Sequence, residues 1–374
     1  MKSLATIVSA RASYSRVRSV LIELEKNQTI DSHIILTASA ASPKFGRLAS
    51  YLDQDSLKVS WKIESQHDTS TDSSMIKTTA TSMTAIADYL LNCHIDGVLV
   101  VADRHETIAA SIASSYLNRK TFHLQGGEVS GNIDNKVRFA NSLLSDYHFV
   151  STQGAAKNLE LCGLNPSSIF VTGCPSLDLV KLGAIDDLYE LNLGGIGLKV
   201  DQLFQDNFIV VLQHPETDCI IAPRKQIQQT IDVIDELNFP ALWIWPNSDS
   251  GSDDLIREIS SARESGKLRN VHFERNIDPN VFLQILGKAR CIIGNSSVAI
   301  RECSLIGTPA VNIGGRQKNR ERGKNVIDVD FSSNMIRSAI AEQLSRAFYE
   351  PSNIYGDGQA GSRIASLISK ILHS

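Results

Sequence analysis

Three residues of this chain have a type and a spacing suited to chemistry: Asp103 in GVLVVADRHE, His214 in FIVVLQHPE and Glu302 in CIIGNSSVAIRE. The first two directly follow apolar runs, and the third follows a turn of small residues, Gly294–Ser297. Such a turn suits an oxyanion. Ser296 or Ser297 can cap the helix that follows, and exposed N–H groups at a helix start favour an anion by roughly 0.3–1 kcal/mol. The tetrapeptide alone also reads as an ordinary helix cap. Glu302 shifts the balance, because a carboxylate on the same helix and an otherwise apolar face can accept the hydroxyl protons of a ribose while the serines hold a diphosphate. Arg316, behind the next apolar run, then adds positive charge for the phosphates. Lys318, Arg320, Arg322 and Lys324 recur at alternate positions and read as a mixture of phosphate contacts and solvated loop.

Acid and base candidates lie mainly in the first half. Asp103 sits at a strand tip in a semi-apolar setting that can tune a carboxyl for proton transfer, or it caps a helix over His105–Leu117. Asp134 lies beyond the glycine-rich loop QGGEVSGNID, which begins at Gln125 and contains Glu128; Asp134 also reads as a cap. Pro215 ends the strand before it and fixes the chain direction, so the His214 imidazole is expected to point at the interdomain cleft. His123, inside TFHLQ, alternates into the packing of a sheet. Arg11, Arg104 and Asn247 complete the polar residues that follow apolar runs.

The elements that must position these side chains are short β-branched runs alternating with amphipathic stretches, the pattern of parallel sheets covered by helices. Strands are expected over Leu4–Ser9, Ser32–Thr37, Val59–Glu64, Gly97–Ala102, Thr121–Leu124, Tyr147–Ser151 and Ser168–Thr172. A second series covers Phe208–Leu212, Ala241–Trp245, Asn270–Phe273, Cys291–Ile293, Pro309–Ile313 and Val326–Val329. Helices in the first half are expected over Ser15–Lys26, Met83–Asn92, His105–Leu117 and Gln153–Leu161. Between the two series, LNLGGIGLKVD fits neither phosphate-loop spacing and reads as a connection. A chain of 374 residues exceeds one compact core. The expected fold class is therefore α/β, with two Rossmann-like doubly wound domains facing a cleft: residues 1–181, a connection over 182–206, and 207–356. This resembles the B-type glycosyltransferase architecture, which implies that a last helix over 357–372 packs back on the first domain. Ligands of such sheets lie beyond the carboxyl ends of the strands.

A net charge of −4 spread along the chain suggests neither a nucleic-acid platform nor an anionic-membrane binder. Six cysteines without a CxxC pair read as reduced, buried thiols of a cytoplasmic protein. No spacing suggests a metal site, and no run approaches the roughly 18 apolar residues of a membrane span.

Nine segments, SARASYS, ADRHE, HLQGGEVSGNID, VTGCPSLD, VLQHPETD, WPNSDSGS, IIGNSSVAIRE, GTPAVNIGGRQKNRERGKNVI and IYGDG, resemble the UDP-N-acetylglucosamine 2-epimerases, specifically the hydrolysing branch of sialic and legionaminic acid precursor synthesis. The resemblance runs over nearly the whole chain. It implies that Asp103 is an acid/base residue, that Asp134 and His214 join it, and that Arg104 contacts the nucleotide-sugar. It further implies diphosphate contacts from Ser296, Ser297, Arg316 and Arg11, and a ribose contact from Glu302. Gln125 stands where relatives carry a glutamate, so Glu128 or Asp134 would take its proton duty. Ser13 stands where RAD is usual, and no histidine precedes the Asp103-Arg104 motif as it does in some relatives.

The implied reaction removes the C2 proton as the nucleoside diphosphate leaves C1, giving a 2-acetamidoglucal. Water then adds across the double bond, releasing the free 2-epimer and UDP. The substrate is a UDP-sugar, either UDP-N-acetylglucosamine or a UDP-2,4-diacetamido-trideoxyhexose. No cofactor is implied, and a homodimer or homotetramer is expected. Cleft closure would bring in His214. Two other readings fit the same residues: a glycosyltransferase of the same fold, or a non-hydrolysing 2-epimerase. A sensor without activity would have no use for Asp103, Asp134 and His214.

Overall fold

The computed structural model describes residues 1–42, 48–67, 72–130, 134–181, 188, 191, 193–205, 207–217, 219–246, 251–275 and 277–374. The chain divides into two compact units. One comprises Met1–Val129, Ile133–Asp178 and Gly356–Ser374, the other chiefly Leu179–Tyr355.

The first unit holds seven strands: β1 (Lys2–Val8), β2 (Ile30–Leu36), β3 (Val59–Lys62), β4 (Gly97–Val101), β5 (Lys120–Leu124), β6 (Tyr147–Val150) and β7 (Ile169–Val171). All pair in parallel, in the order β3-β2-β1-β4-β5-β6-β7. The β4 sequence GVLVV is buried at every position, as expected of a central strand covered on both faces. Leu99 and Val101 face one apolar core and Val98 and Val100 the other. The chain begins at β1, runs outward to β3 and returns to β4, so the strand order reverses between β1 and β4. A doubly wound sheet opens its ligand crevice at that reversal, here beside Arg11 and Asp103.

The last helix, Ala360–His373, belongs to this unit. Its Ile364, Ile368 and Leu372 share a core with Val17, Leu21 and Leu24 of the helix Arg11–Glu25. Asp178 accepts from Ala360 N (2.9 Å) and Gly361 N (2.6 Å), so the aspartate of VTGCPSLD caps that helix.

The second unit holds β8 (Ile196–Gly197), β9 (Ile209–Leu212), β10 (Ala241–Ile244), β11 (Val271–Glu274), β12 (Cys291–Gly294), β13 (Ala310–Ile313) and β14 (Val326–Val329). Their order is β14-β13-β12-β9-β10-β11-β8, with only β8 antiparallel to its neighbour. Here the reversal lies between β9 and β12, so His214 and Asn295 flank it. Gly294 is required at the end of β12. Its φ is +136°, and a Cβ there would lie 2.0 Å from Leu212 O.

Three features differ from the sequence expectations. The stretch read as a connection supplies β8 and the helix Val200–Phe204, whose Leu203 and Phe204 enter the second unit's core. The helix expected over Met83–Asn92 runs from Asp72, because its Ser- and Thr-rich first half hides the helical period. A helix over Asp134–Leu143 was not anticipated, since its buried residues, Arg138, Asn141 and Ser142, are polar. Among the cysteines, Cys174, Cys291 and Cys303 are buried, whereas Cys93 and Cys162 are exposed and Cys219 is half-buried; none forms a disulfide. Among the described residues, no helix is long and apolar enough to cross a membrane.

Candidate active site

Asp103 does not cap a helix. The following helix begins at Thr107, with Glu106 in the cap position. Asp103 is 6% exposed, and its carboxylate meets Arg138 Nη2 through Oδ2 and Arg16 Nη1 at 3.0 Å through Oδ1. The setting is therefore ionic, unlike the semi-apolar one expected. The residue before it, Ala102, adopts the left-handed conformation (φ +60°), which turns the chain sharply off β4.

The loop after β5 packs on the same arginine. Arg138 Nη1 donates to Glu128 O at 2.6 Å, so one guanidinium ties Asp103 to the glycine-rich loop. Glu128 is buried, and Asp134 opens the helix one turn before Arg138. Gln125 is also buried and left-handed (φ +63°); its Nε2 donates to Cys174 Sγ at 2.8 Å, and that sulfur lies 2.9 Å from Ser176 Oγ. Arg104 forks onto Glu106, at 3.1 and 3.3 Å. Arg11 is the half-buried first residue of its helix.

In the second unit, Asn295 organises the strand ends. It accepts from His214 N at 2.7 Å and donates to His214 O at 2.9 Å, holding both main-chain groups of the buried histidine. Its own carbonyl accepts from Gln317 Nε2 (2.8 Å) and Arg316 Nη1 (3.4 Å). Glu216 closes the arrangement by accepting from Gly315 N (3.1 Å) and Arg316 N (2.8 Å). The segments HPE, GNSS and GGR are thus held together by side chains.

Ser296 Oγ accepts from Val298 N at 3.5 Å, a weak cap of the 3₁₀ turn Ser297–Ala299. Glu302 begins a separate five-residue helix, Glu302–Ile306, so the serines and the glutamate do not share the continuous helix expected of them. The buried Glu302 Oε2 has no hydrogen-bond partner among the described residues. A buried carboxylate oxygen without a donor is costly unless a ligand hydroxyl reaches it. Of the basic loop, Lys318 and Lys324 are exposed, Arg320 is buried, and Arg322 pairs with Asp328 (3.0 Å) and donates to Gln317 O (2.7 Å) and Arg320 O (2.6 Å). Arg322 therefore staples its own loop. Asn247 lies outside the described residues.

Sequence reasoning missed Arg16, Arg138 and Glu216. Arg138 stands one helical turn from Asp134 in DNKVR, a relation visible only once that helix is known. The other two carried no signal.

Two doubly wound parallel-sheet units with polar residues gathered at their strand-order reversals define a fold of the glycosyltransferase-B type. Comparison with known proteins narrows the class. The family model described as UDP-N-acetylglucosamine 2-epimerase matches residues 22–369, and the chain belongs to that family. It is 30% identical to the UDP-N,N'-diacetylbacillosamine 2-epimerase (hydrolyzing) of Legionella pneumophila, over 100% of this chain and 97% of that protein. It is 25% identical to the UDP-N-acetylglucosamine 2-epimerase of Neisseria meningitidis serogroup B, over 96% of this chain and 92% of that one. Among solved structures, the S. aureus MnaA–UDP complex superposes with a TM-score of 0.81 at 20% identity, covering 100% of this chain and 97% of the other. The N. meningitidis UDP-GlcNAc 2-epimerase bound to UDP-GlcNAc gives 0.79 at 20% identity, covering 99% and 100%.

Proposed function

We propose that this protein is a hydrolysing UDP-hexosamine 2-epimerase, converting a UDP-2-acetamido sugar and water into the free 2-epimer and UDP. The observation that carries the reading is the buried Asp103 carboxylate, held by Arg16 and Arg138 beside the β1/β4 reversal, in a chain similar end to end to a hydrolysing relative. That relative's name favours a 2,4-diacetamido-2,4,6-trideoxy sugar over N-acetylglucosamine as the substrate.

In this reading UDP is the leaving group. Ser296, Ser297, Arg316 and Arg11 hold its diphosphate, and the unpartnered Glu302 Oε2 takes a ribose hydroxyl. As the C1–O bond breaks, positive charge grows at C1 and the C2 proton becomes removable. Asp103 serves as the acid/base residue, with Asp134 or Glu128 as the second carboxylate and His214 assisting. Arg104 and Asn247 contact the nucleotide-sugar. Gln125 holds no exchangeable carboxyl proton, so its role in this reading is binding; its Nε2 already donates to Cys174 Sγ. Water then adds to C1 of the glycal while a proton returns to C2 from the opposite face.

Proton NMR in deuterated water tests this. The purified protein is given either UDP-sugar without acceptor. Free 2-epimer deuterated at C2 is expected. Accumulation of a UDP-linked 2-epimer would instead identify non-hydrolysing chemistry, and no turnover of either sugar would overturn the reading.

A further inference from the structure

His123 is fully buried, and both ring nitrogens are engaged: Nε2 lies 2.9 Å from Ala102 O and Nδ1 2.9 Å from Ser142 Oγ. A carbonyl oxygen only accepts, so Nε2 carries the proton; Nδ1 is then an acceptor for the single Ser142 hydroxyl proton, at 2.9 Å against 3.2 Å for the competing Arg138 O. Burial pushes the imidazole pKa down to about 4, which keeps the ring neutral at ordinary pH, while the carbonyl at Nε2 selects the tautomer. The same Ala102 carbonyl accepts from Asn141 Nδ2 at 3.3 Å, and Asn141 Oδ1 in turn accepts from Ser111 Oγ at 2.9 Å.

Ala102 is the left-handed, non-glycine residue that turns the chain from β4 into Asp103. This conformation is unfavourable for alanine and persists only where its surroundings hold it. One face of the helix Asp134–Leu143 provides that hold: Asn141 binds the Ala102 carbonyl, Ser142 orients His123, and Arg138 pairs with the Asp103 carboxylate. Gly126 leaves the room needed, since a Cβ there would lie 2.8 Å from His123 Nδ1 and 2.6 Å from Ser142 Oγ.

We infer that His123 is a positioning residue for the reaction: as a neutral Nε2–H donor it shares with Asn141 the task of holding the strained Ala102 carbonyl, and so sets where Asp103 stands. This rests on the assignment of Asp103 as the acid/base residue.

The test compares wild type with His123→Leu, which removes the donor, and His123→Gln, whose amide nitrogen can stand near the Nε2 position. His123→Leu is expected to lower kcat at least about tenfold with KM and UDP affinity within about twofold, and His123→Gln to recover most of kcat. Asn141→Leu should fall in the same direction, and serves if His123→Leu does not fold. Nitrogen-15 NMR of the wild-type ring should report a proton on Nε2 and none on Nδ1 between about pH 6 and 8. The opposite tautomer, a kcat of His123→Leu within twofold of wild type, or a His123→Gln as slow as His123→Leu at equal melting temperature would each overturn the inference. If wild type itself turned over neither sugar, the proposed reaction would fail separately. The carbon-13 carboxyl signal of Asp103, assigned through Asp103→Asn, then decides: it should move in His123→Leu and return in His123→Gln, and an unmoved signal overturns the positioning role.

Discussion

Arg138 and Asp103 form an ion pair in which both side chains are almost withdrawn from water, 2% and 8% exposed. The arginine has a second duty on the same guanidinium, the hydrogen bond to Glu128 O at 2.6 Å. Arg16, which contributes the other contact to Asp103, is only partly covered, at 21%. The pair therefore joins the turn after β4 to the loop after β5 in a setting where a lost partner is not replaced by water.

Removing Arg138 leaves a buried carboxylate with one of its two cations. Arg138→Met should destabilise the fold by about 3–5 kcal/mol and abolish turnover. Arg138→Lys should restore part of the stability and little of the activity, because an ammonium lacks the fork that serves Asp103 and Glu128 O together. Thermal denaturation alongside steady-state assays reads both effects.

Asp103 and Glu302 should separate catalysis from nucleotide binding. Asp103→Asn is expected to bind UDP with wild-type affinity and to show no turnover. Glu302→Ala should weaken UDP by roughly tenfold, the worth of a hydrogen bond to a charged acceptor. Calorimetric titration with UDP and the NMR assay check the pair; an active Asp103→Asn would remove the role assigned to that residue.

Glu216 holds the main chain of the GGR loop through Gly315 N and Arg316 N. Glu216→Ala frees the N–H groups of Gly315 and Arg316, and should loosen UDP by about 1.5–3 kcal/mol by releasing Arg316. Glu216→Gln, which keeps one acceptor oxygen, should lose less. UDP titration of both variants distinguishes this from a purely structural effect on melting.

Burial holds His123 and His148 at pKa values of about 4, well below the 6.5 of the unfolded chain. Between those values the unfolded state binds protons that the folded state does not, so stability is unaffected above about pH 7 and falls as the pH drops from 6.5 toward 4. The slope is about 1.4 kcal/mol per pH unit for each histidine. Urea denaturation across that range should show the decline, and His148→Leu should reduce its steepness.

What the sequence determined by itself was the alternation of elements and the residues that end them. The strands of the first sheet were legible as short runs, most plainly the central one, because a strand buried on both faces is a short apolar run, as GVLVV is and as IVVL is in the second sheet. Asp103 and His214 stand two residues beyond such runs, at the strand ends where ligands of parallel sheets lie, so they could be picked out without coordinates. The helix Asp134–Leu143 was not legible, since its inward face is Arg138, Asn141 and Ser142, and periodicity reads polar residues as solvent-facing.

Only the tertiary structure decided what those strand ends meet. Arg16 and Arg138 are 87 and 35 residues from Asp103, and Glu216 is 100 from Arg316. No local period links such positions. They meet because parallel strands bring every carboxyl end to one edge of the sheet, where crossover helices and loops from distant parts of the chain must satisfy each other's charges and main-chain groups. The reversal of strand order leaves the crevice, and the buried polar contacts around it give Asp103 its place.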